Sequence, residues 1–314
     1  MTISFDIYGG IFNYIGYFFG YVLWFFFEVT KNYGVSLILF TLLIKAILMP
    51  FSIKQQKSMA KNARVSAKQR ELQKRCGNDK KKYNEELAKL YSEEGMNPAG
   101  GCLASFAPFI VLFGVFYSVS NPLQNTLHIA VGKINEAMSF LQTIPGLGVT
   151  FGERYGQIEV IKLFPLVKNE LTMFSASEIQ DISQFHSGFN FLGLDLLSTP
   201  STSSFASCMW IIPLLSFVTS ILSTVLMQKI QGNQQMQGQG CMKYMMYVVP
   251  LFTTWIAYTV PAAVGFYWIV STVLQFFQSL ILHKHYNINL LNARSEASRI
   301  ALRRQQEQDM KPAR

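Results

Sequence analysis

A run of twenty residues, 34–53, contains a single charged residue, Lys45, and is otherwise apolar or small. A helix of that length covers the ~30 Å hydrocarbon core of a bilayer. The run therefore predicts a membrane span in which Lys45 lies about 13 Å from the nearer charged flank at Lys54. An ammonium group at that depth costs at least ~2.5–3.5 kcal/mol, and such groups usually face a protein interior or a water-filled cavity. Lys45 is therefore predicted to be functional.

The composition of the chain is that of a membrane protein. Of its 314 residues, 50% are hydrophobic and only 14% are charged, whereas about a quarter of a soluble domain is charged. Four further apolar stretches, 102–123, 205–228, 243–260 and 263–283, are long enough to span. The last two are separated only by a turn at Pro261, which predicts a helical hairpin. The expected fold is an all-α polytopic membrane protein with five transmembrane helices.

The N-terminal segment allows two interpretations. Ten of the seventeen residues in 11–27 are aromatic, and Tyr and Trp prefer the headgroup level of a bilayer. This favours a helix that lies in the membrane interface. A sixth membrane span is the alternative.

Charge orients the predicted spans. Segment 54–94 holds twelve Lys or Arg against six acids, and the tail 284–314 holds seven against three. Loop 124–204 holds four basic residues against seven acids. Because cytoplasmic segments carry the excess of Lys and Arg, we expect an outside N-terminus and a cytoplasmic C-terminus, which an odd number of spans satisfies.

The predicted organisation follows in chain order. It comprises an extracellular, interfacial segment 1–32, span 1 at 33–53, a cytoplasmic helical hairpin 54–101, span 2 at 102–123, an extracellular loop 124–204, span 3 at 205–228, a cytoplasmic loop 229–242, the hairpin of spans 4 and 5 at 243–283, and a basic cytoplasmic tail 284–314. Within the cytoplasmic hairpin we expect two helices, about 59–75 and 80–93, broken at Gly77-Asn78. We expect the tail to be partly helical or disordered.

The sequence contains no recognisable catalytic or metal-binding motif. The four cysteines lie in separate segments without metal-type spacing, which argues against a disulfide framework and a zinc site. The four histidines form no triad or ligand pattern, and no Gly-rich nucleotide loop or zinc-protease motif occurs. We expect no cofactor, no metal and no catalytic residue.

Three stretches resemble the YidC family of membrane protein insertases, in its short form without a large periplasmic domain. They are LLIKAILMPFSIKQQKSMAK at 42–61, KLYSEEGMNPAGGCL at 89–103, and FLGLDLLS at 191–198 followed by the last three spans, which end in GFYWIVSTVLQFFQ at 265–278. The combination is highly specific, whereas any one piece would be weak.

Three positions depart from the family pattern. Lys45 stands where the family usually has Arg, which keeps the charge but loses the planar guanidinium. Pro108 stands near a position often held by Gln, and Thr272 stands in the place of an Asn.

The resemblance implies a hydrophilic groove among the five spans, in which Lys45 attracts acidic segments of a client. Polar residues at helical spacing could line it: Thr41 beside Lys45, Ser216, Ser220 and Ser223 on span 3, and Thr272, Gln275 and Gln278 on span 5, with Trp268 as a further candidate. For each Ser and Thr, interhelical hydrogen bonding or close packing is the alternative. For Gln275 and Gln278 the alternative is a role between helices, and for Trp268 it is packing. For Lys45 the alternative is an internal salt bridge.

The implied function is a membrane protein insertase and chaperone that guides nascent hydrophobic segments from the cytoplasm into the bilayer of the bacterial cell membrane. The implied partners are nascent membrane proteins, the Sec translocon, the ribosome through the basic tail and cytoplasmic loops, and membrane lipids. The alternatives are a transporter or channel for an anionic solute and a purely structural assembly subunit.

Overall fold

A computed structural model describes residues 7–77, 79–94, 111, 113–144, 155–204, 207–231 and 240–309. Almost all of them are helical, which agrees with the predicted all-α class. The helices are α1 (Ile7–Thr30), α2 (Tyr33–Ile47), α3 (Met49–Cys76), α4 (Lys80–Glu93), α5 (Pro122–Asn125), α6 (Val131–Thr143), α7 (Gly156–Val167), α8 (Ala176–Ser187), α9 (Ile211–Gln231), α10 (Gly240–Thr259), α11 (Ala262–His285) and α12 (Ile288–Asp309). Residues 113–120 are also helical.

The chain divides into two compact units. The first comprises Met1–Ala46, Ala107–Thr224 and Lys243–Leu274, and the second comprises Ile47–Phe106, Val225–Met242 and Gln275–Arg314. Span 1 was expected to be one helix, but its residues are shared between α2 and α3.

Two helical segments of the described ranges are long and apolar enough to cross a membrane, Cys208–Lys229 and a stretch within Ala262–Gln308. The number of candidate spans rises to three if α2 and the start of α3 together form one bent span. The expected total of five is not reached among these residues, and most of predicted span 2 lies outside them. Five spans therefore remain a proposal.

Pro50 explains why α2 and α3 are separate helices. Proline has no N–H, and its ring clashes with the carbonyl group four residues earlier, so it weakens a helix interior but is well tolerated in a first turn. Accordingly α2 ends at Ile47, Leu48 is the N-cap residue of α3, and Pro50 lies in the first turn of α3. Lys45 thereby comes to lie in the last turn of α2.

In the first unit, α1 packs closely against α5. A Cβ atom on Gly20 would lie 1.7 Å from the carbonyl oxygen of Asn125, so only glycine permits this approach. Leu23 and Phe27 are buried on the same side of α1. The opposite side exposes a stripe of large apolar residues: Tyr14, Phe18, Tyr21, Phe25 and Val29.

Loop 124–204, for which the sequence predicts no architecture, contains a folded helical region. Helices α6, α7 and α8 bury Leu141, Phe164 and Phe185. Lys133 of α6 donates to both carboxylate oxygens of Glu178 on α8, at 2.9 and 2.7 Å. Burial opposes ionisation of Glu178, but the hydrogen bonds from Lys133 and Ser175 outweigh it and lower the pKa of the carboxyl.

His128 also belongs to this loop and has a packing role. Its ring stacks on Tyr21 with 3.6 Å between ring centroids and meets Tyr17 edge-on at 4.5 Å. Burial lowers the pKa of the imidazole, because it disfavours the charged form. His128 is therefore a neutral ring that helps to join α1 to the loop.

The segment FLGLDLLS connects several elements of the first unit. Strands β1 (Asn190–Phe191) and β2 (Leu194–Asp195) form a short antiparallel hairpin in which Asn190 pairs with Asp195. The carbonyl groups of Leu196 and Ser198 accept hydrogen bonds from the first backbone N–H groups of α11, each at 2.9 Å. A helix leaves these N–H groups without internal partners, so this motif caps α11.

The second unit contains the predicted hairpin. Helix α4 has the predicted bounds, and the side chain of Asp79 caps it by accepting from the N–H groups of Lys81 and Lys82. Helix α3 begins earlier than predicted and ends at Cys76; Asn78 lies outside the described residues. The tail forms the long helix α12, which packs against α3.

Candidate functional site

Lys45 is half-buried in the last turn of α2. The carbonyl groups of a helix C-terminus carry partial negative charge, which favours a cation there by about 0.3–1 kcal/mol. One turn earlier, Thr41 is 2% exposed and its hydroxyl donates to the carbonyl oxygen of Leu37 at 2.6 Å. In this conformation the Thr41 hydroxyl is engaged within its own helix.

The three serines of span 3 lie on α9 with different exposures. Ser216 is 2% exposed, and Ser220 and Ser223 are half-buried. On α11, Trp268 and Thr272 are half-buried, one turn apart. Together with Lys45 and Thr41, these five residues belong to the first unit. Their convergence on one groove stays a prediction.

The two predicted glutamines belong to the second unit. Gln275 is exposed, whereas Gln278 is 6% exposed. The Nε2 atom of Gln278 donates to the hydroxyl of Ser52 on α3 at 3.0 Å and lies 3.4 Å from the sulfur of Met49. Within the described residues, Oε1 of Gln278 has no hydrogen-bond partner.

An unsatisfied buried amide oxygen costs about 1–3 kcal/mol, so Gln278 presents an acceptor that an internal water molecule could satisfy. Sequence reasoning missed Ser52 as the partner of Gln278. The available signal was its place in the matched stretch 42–61.

An apolar groove of about 450 Å³ runs along α9 and α10 in the first unit. Trp210 and Tyr258, whose ring centroids are 5.2 Å apart, line one part of it. Leu214 and Trp255, each 61% exposed, line another. Thr254 is also in the lining, and its hydroxyl donates to the carbonyl oxygen of Pro250. Because most of this lining is apolar, an apolar side chain or a lipid chain can occupy the groove.

Metal chemistry finds no support in this part of the molecule. Among the described residues, no group of three or more His, Cys, Asp or Glu is arranged to hold a metal ion. For the whole chain, the absence of a bound metal and of a catalytic residue remains an expectation from the sequence.

Comparison with known proteins gives a family match over most of the chain. The family described as 60Kd inner membrane protein matches residues 25–289. A relative named membrane protein insertase YidC, from Caldanaerobacter subterraneus subsp. tengcongensis, is 28% identical over 267 residues, which cover 85% of this chain and 93% of the relative.

Two further relatives match over smaller shares of their own length. ALBINO3-like protein 1, chloroplastic, from Arabidopsis thaliana is 25% identical over 82% of this chain and 44% of the relative. A membrane protein insertase YidC from Nitratidesulfovibrio vulgaris (strain DSM 19637 / Miyazaki F) is 37% identical over 33% of this chain and 19% of that protein. The similarity therefore extends over most of the described helices.

Proposed function

Because the chain belongs to the YidC family of membrane protein insertases, we propose that it passes nascent hydrophobic segments from the cytoplasm into the bilayer through a hydrophilic groove that contains Lys45. The family consists of membrane protein insertases and not of enzymes, its substrates are nascent membrane proteins, and the relatives named YidC indicate that this chain is a bacterial membrane protein. The groove, the role of Lys45 and the topology of the termini are the proposal.

The observation that carries the mechanism is the position of Lys45 within an otherwise apolar predicted span. A fixed cation attracts carboxylates more strongly as the dielectric constant falls. Lys45 thereby lowers the free energy needed to bring an acidic client tail into the membrane. The adjoining apolar client segment then moves into lipid by hydrophobic transfer.

The remaining candidate residues are assigned supporting roles. Ser220, Ser223, Thr272 and Gln275 keep the groove hydrated, and Gln278 joins α11 to α3 through its hydrogen bond to Ser52. The apolar groove along α9 and α10 contacts the hydrophobic part of the client. Thr41 and Ser216 are too buried to contact a client in this conformation and contribute to helix packing.

Partners follow from charge. The basic hairpin and tail contact the ribosome through RNA phosphates, an interaction that weakens steeply with salt. Anionic lipids attract the same side chains. The aromatic stripe of α1 lies in the membrane interface, and the Sec translocon is the further partner that the family resemblance implies.

The function is tested by depletion and rescue. Cells depleted of their own insertase are complemented with this chain, and insertion of a small single-span client with an acidic N-terminal tail is measured. We expect insertion to be restored, because the chain supplies both the groove cation and the apolar path. If the chain does not restore client insertion at an expression level at which a known insertase does, the proposed function is wrong.

The topology is tested by labelling two matched lysine positions in a chain whose four cysteines are replaced by serine. Lys168 lies exposed in loop 124–204, and Lys80 lies exposed in the cytoplasmic hairpin. A membrane-impermeant maleimide is expected to label Lys168→Cys in intact cells and Lys80→Cys only after permeabilisation. The reverse pattern would overturn the proposed orientation.

A further inference from the structure

Glu94, the residue after α4, is the centre of a buried ion cluster in the second unit. Its side chain is 1% exposed. Lys68 of α3 donates to Oε1 at 2.8 Å. Arg299 of α12 donates to Oε1 and Oε2 at 2.9 Å each. One carboxylate therefore joins the two helices of the hairpin to the tail helix.

The position of Glu94 is unfavourable without these cations. It is the C-cap residue of α4, and a negative charge there opposes the partial negative charge of the helix C-terminus. Burial of a carboxylate adds a desolvation cost. The bidentate guanidinium of Arg299 offsets both through paired, charge-assisted hydrogen bonds, which lysine cannot reproduce.

Arg299 marks the end of the part of α12 that is packed against the protein. Leu291, Asn292 and Arg299 are half-buried and follow one face of the helix. Every side chain from residue 300 to residue 308 is exposed. The ion cluster is therefore the last contact that α12 makes with the second unit before its side chains become fully exposed.

We propose that Glu94 is a positioning residue, which holds the tail helix against the hairpin so that both present themselves to a client as one body. Glu94 lies in KLYSEEGMNPAGGCL, one of the stretches that carry the family resemblance, and the proposed groove assigns it no role. The inference rests on the proposed insertase function, because positioning matters only if the hairpin and tail handle clients.

A tail that acts only through its charge is the competing explanation. Arg303, which is exposed on the same helix, provides the matched control. Arg299→Gln and Arg303→Gln remove the same charge from the tail, but only the first breaks the cluster. Glu93→Gln is the corresponding control for Glu94→Gln, since the side chain of Glu93 is exposed.

The first measurement is amide hydrogen exchange of residues 288–299 in the full-length, membrane-reconstituted chain. A helix released from its packing surface is marginally stable in water, so Glu94→Gln and Arg299→Gln are expected to speed exchange at least about tenfold. The double variant is expected to exchange no faster than either single variant, because the two groups act as one unit. Both controls are expected to match the wild type.

The second measurement is client insertion by the same variants in the depletion–rescue assay. Glu94→Gln and Arg299→Gln are expected to lower insertion, Arg299→Lys to restore part of it, and both controls to keep it. Unchanged hydrogen exchange in both cluster variants would show that the ion cluster does not hold α12. If Glu94→Gln does not fold, the exchange of Arg299→Gln alone decides this point. Faster exchange with normal insertion would overturn the positioning role. Failure of the wild-type chain to rescue would count against the proposed function instead, while the exchange result would still decide the contact.

Discussion

Lys45→Glu is expected to reduce insertion of a client with an acidic tail by at least about a hundredfold, whereas Lys45→Arg is expected to retain activity. At an effective dielectric constant of ~20, two unit charges 4 Å apart interact by about 4 kcal/mol. Reversing the charge turns that attraction into repulsion. Arginine keeps the charge and is the residue that the family usually has at this position. The measurement is client insertion in the depletion–rescue assay at matched protein levels.

Lys45→Met and Lys54→Glu separate the possible causes. Methionine keeps an unbranched side chain close to lysine in length but without its charge, so its activity should lie between those of the glutamate variant and the wild type. Lys54 is exposed and receives the same charge reversal at the end of the predicted span, where insertion should change little. Normal insertion by Lys45→Glu would refute electrostatic attraction, and equal losses at Lys45 and Lys54 would point to a general charge effect.

Gly20→Ala is expected to have the largest effect on stability, about 3 kcal/mol, the upper end for overpacking a close contact. The new Cβ atom would lie 1.7 Å from the backbone oxygen of Asn125. A backbone atom cannot rotate away as a side chain can, so α1 must move off α5. The thermal unfolding midpoint of the purified chain in detergent should fall, and protease cleavage within loop 124–204 should quicken.

Gly132→Ala is the matched control for this substitution. Gly132 lies in α6, and a Cβ atom there meets nothing within 4 Å. Alanine favours a helix over glycine by up to about 1 kcal/mol, so the unfolding midpoint should stay or rise slightly. If both variants unfold like the wild type, the close packing of α1 on α5 is not present in the folded protein.

The sequence predicted best where local signals decide the structure. Two polar helices with a break at Gly77 were predicted, and they correspond to α3 and α4. The bounds of α4 are those expected. Pro261 correctly separates α10 from α11. The division of the expected span 1 into α2 and α3 was not predicted, although Pro50 is the local feature that accounts for it, because proline favours the first turn of a helix.

What the sequence could not supply depends on contacts between distant residues. The packing of Gly20 against Asn125 and the ion cluster of Glu94 with Arg299 join positions far apart in the chain, which periodicity cannot pair. The helices within loop 124–204 were not predicted, because they are stabilised by apolar residues that pack against one another and against α1. The candidate site could be anticipated only as residue types on helix faces, so Ser52 was not anticipated as the partner of Gln278.

The central claim, that Lys45 recognises the acidic part of a client, is tested most directly with a matched pair of clients. The two differ only in whether the carboxylates of the N-terminal tail are intact or replaced by amides. Wild-type chain should insert the acidic client faster than the neutral one, and Lys45→Met should remove that difference, because it removes the cation that distinguishes them. If Lys45→Met keeps the full preference for the acidic client, the charge of Lys45 is not what recognises it.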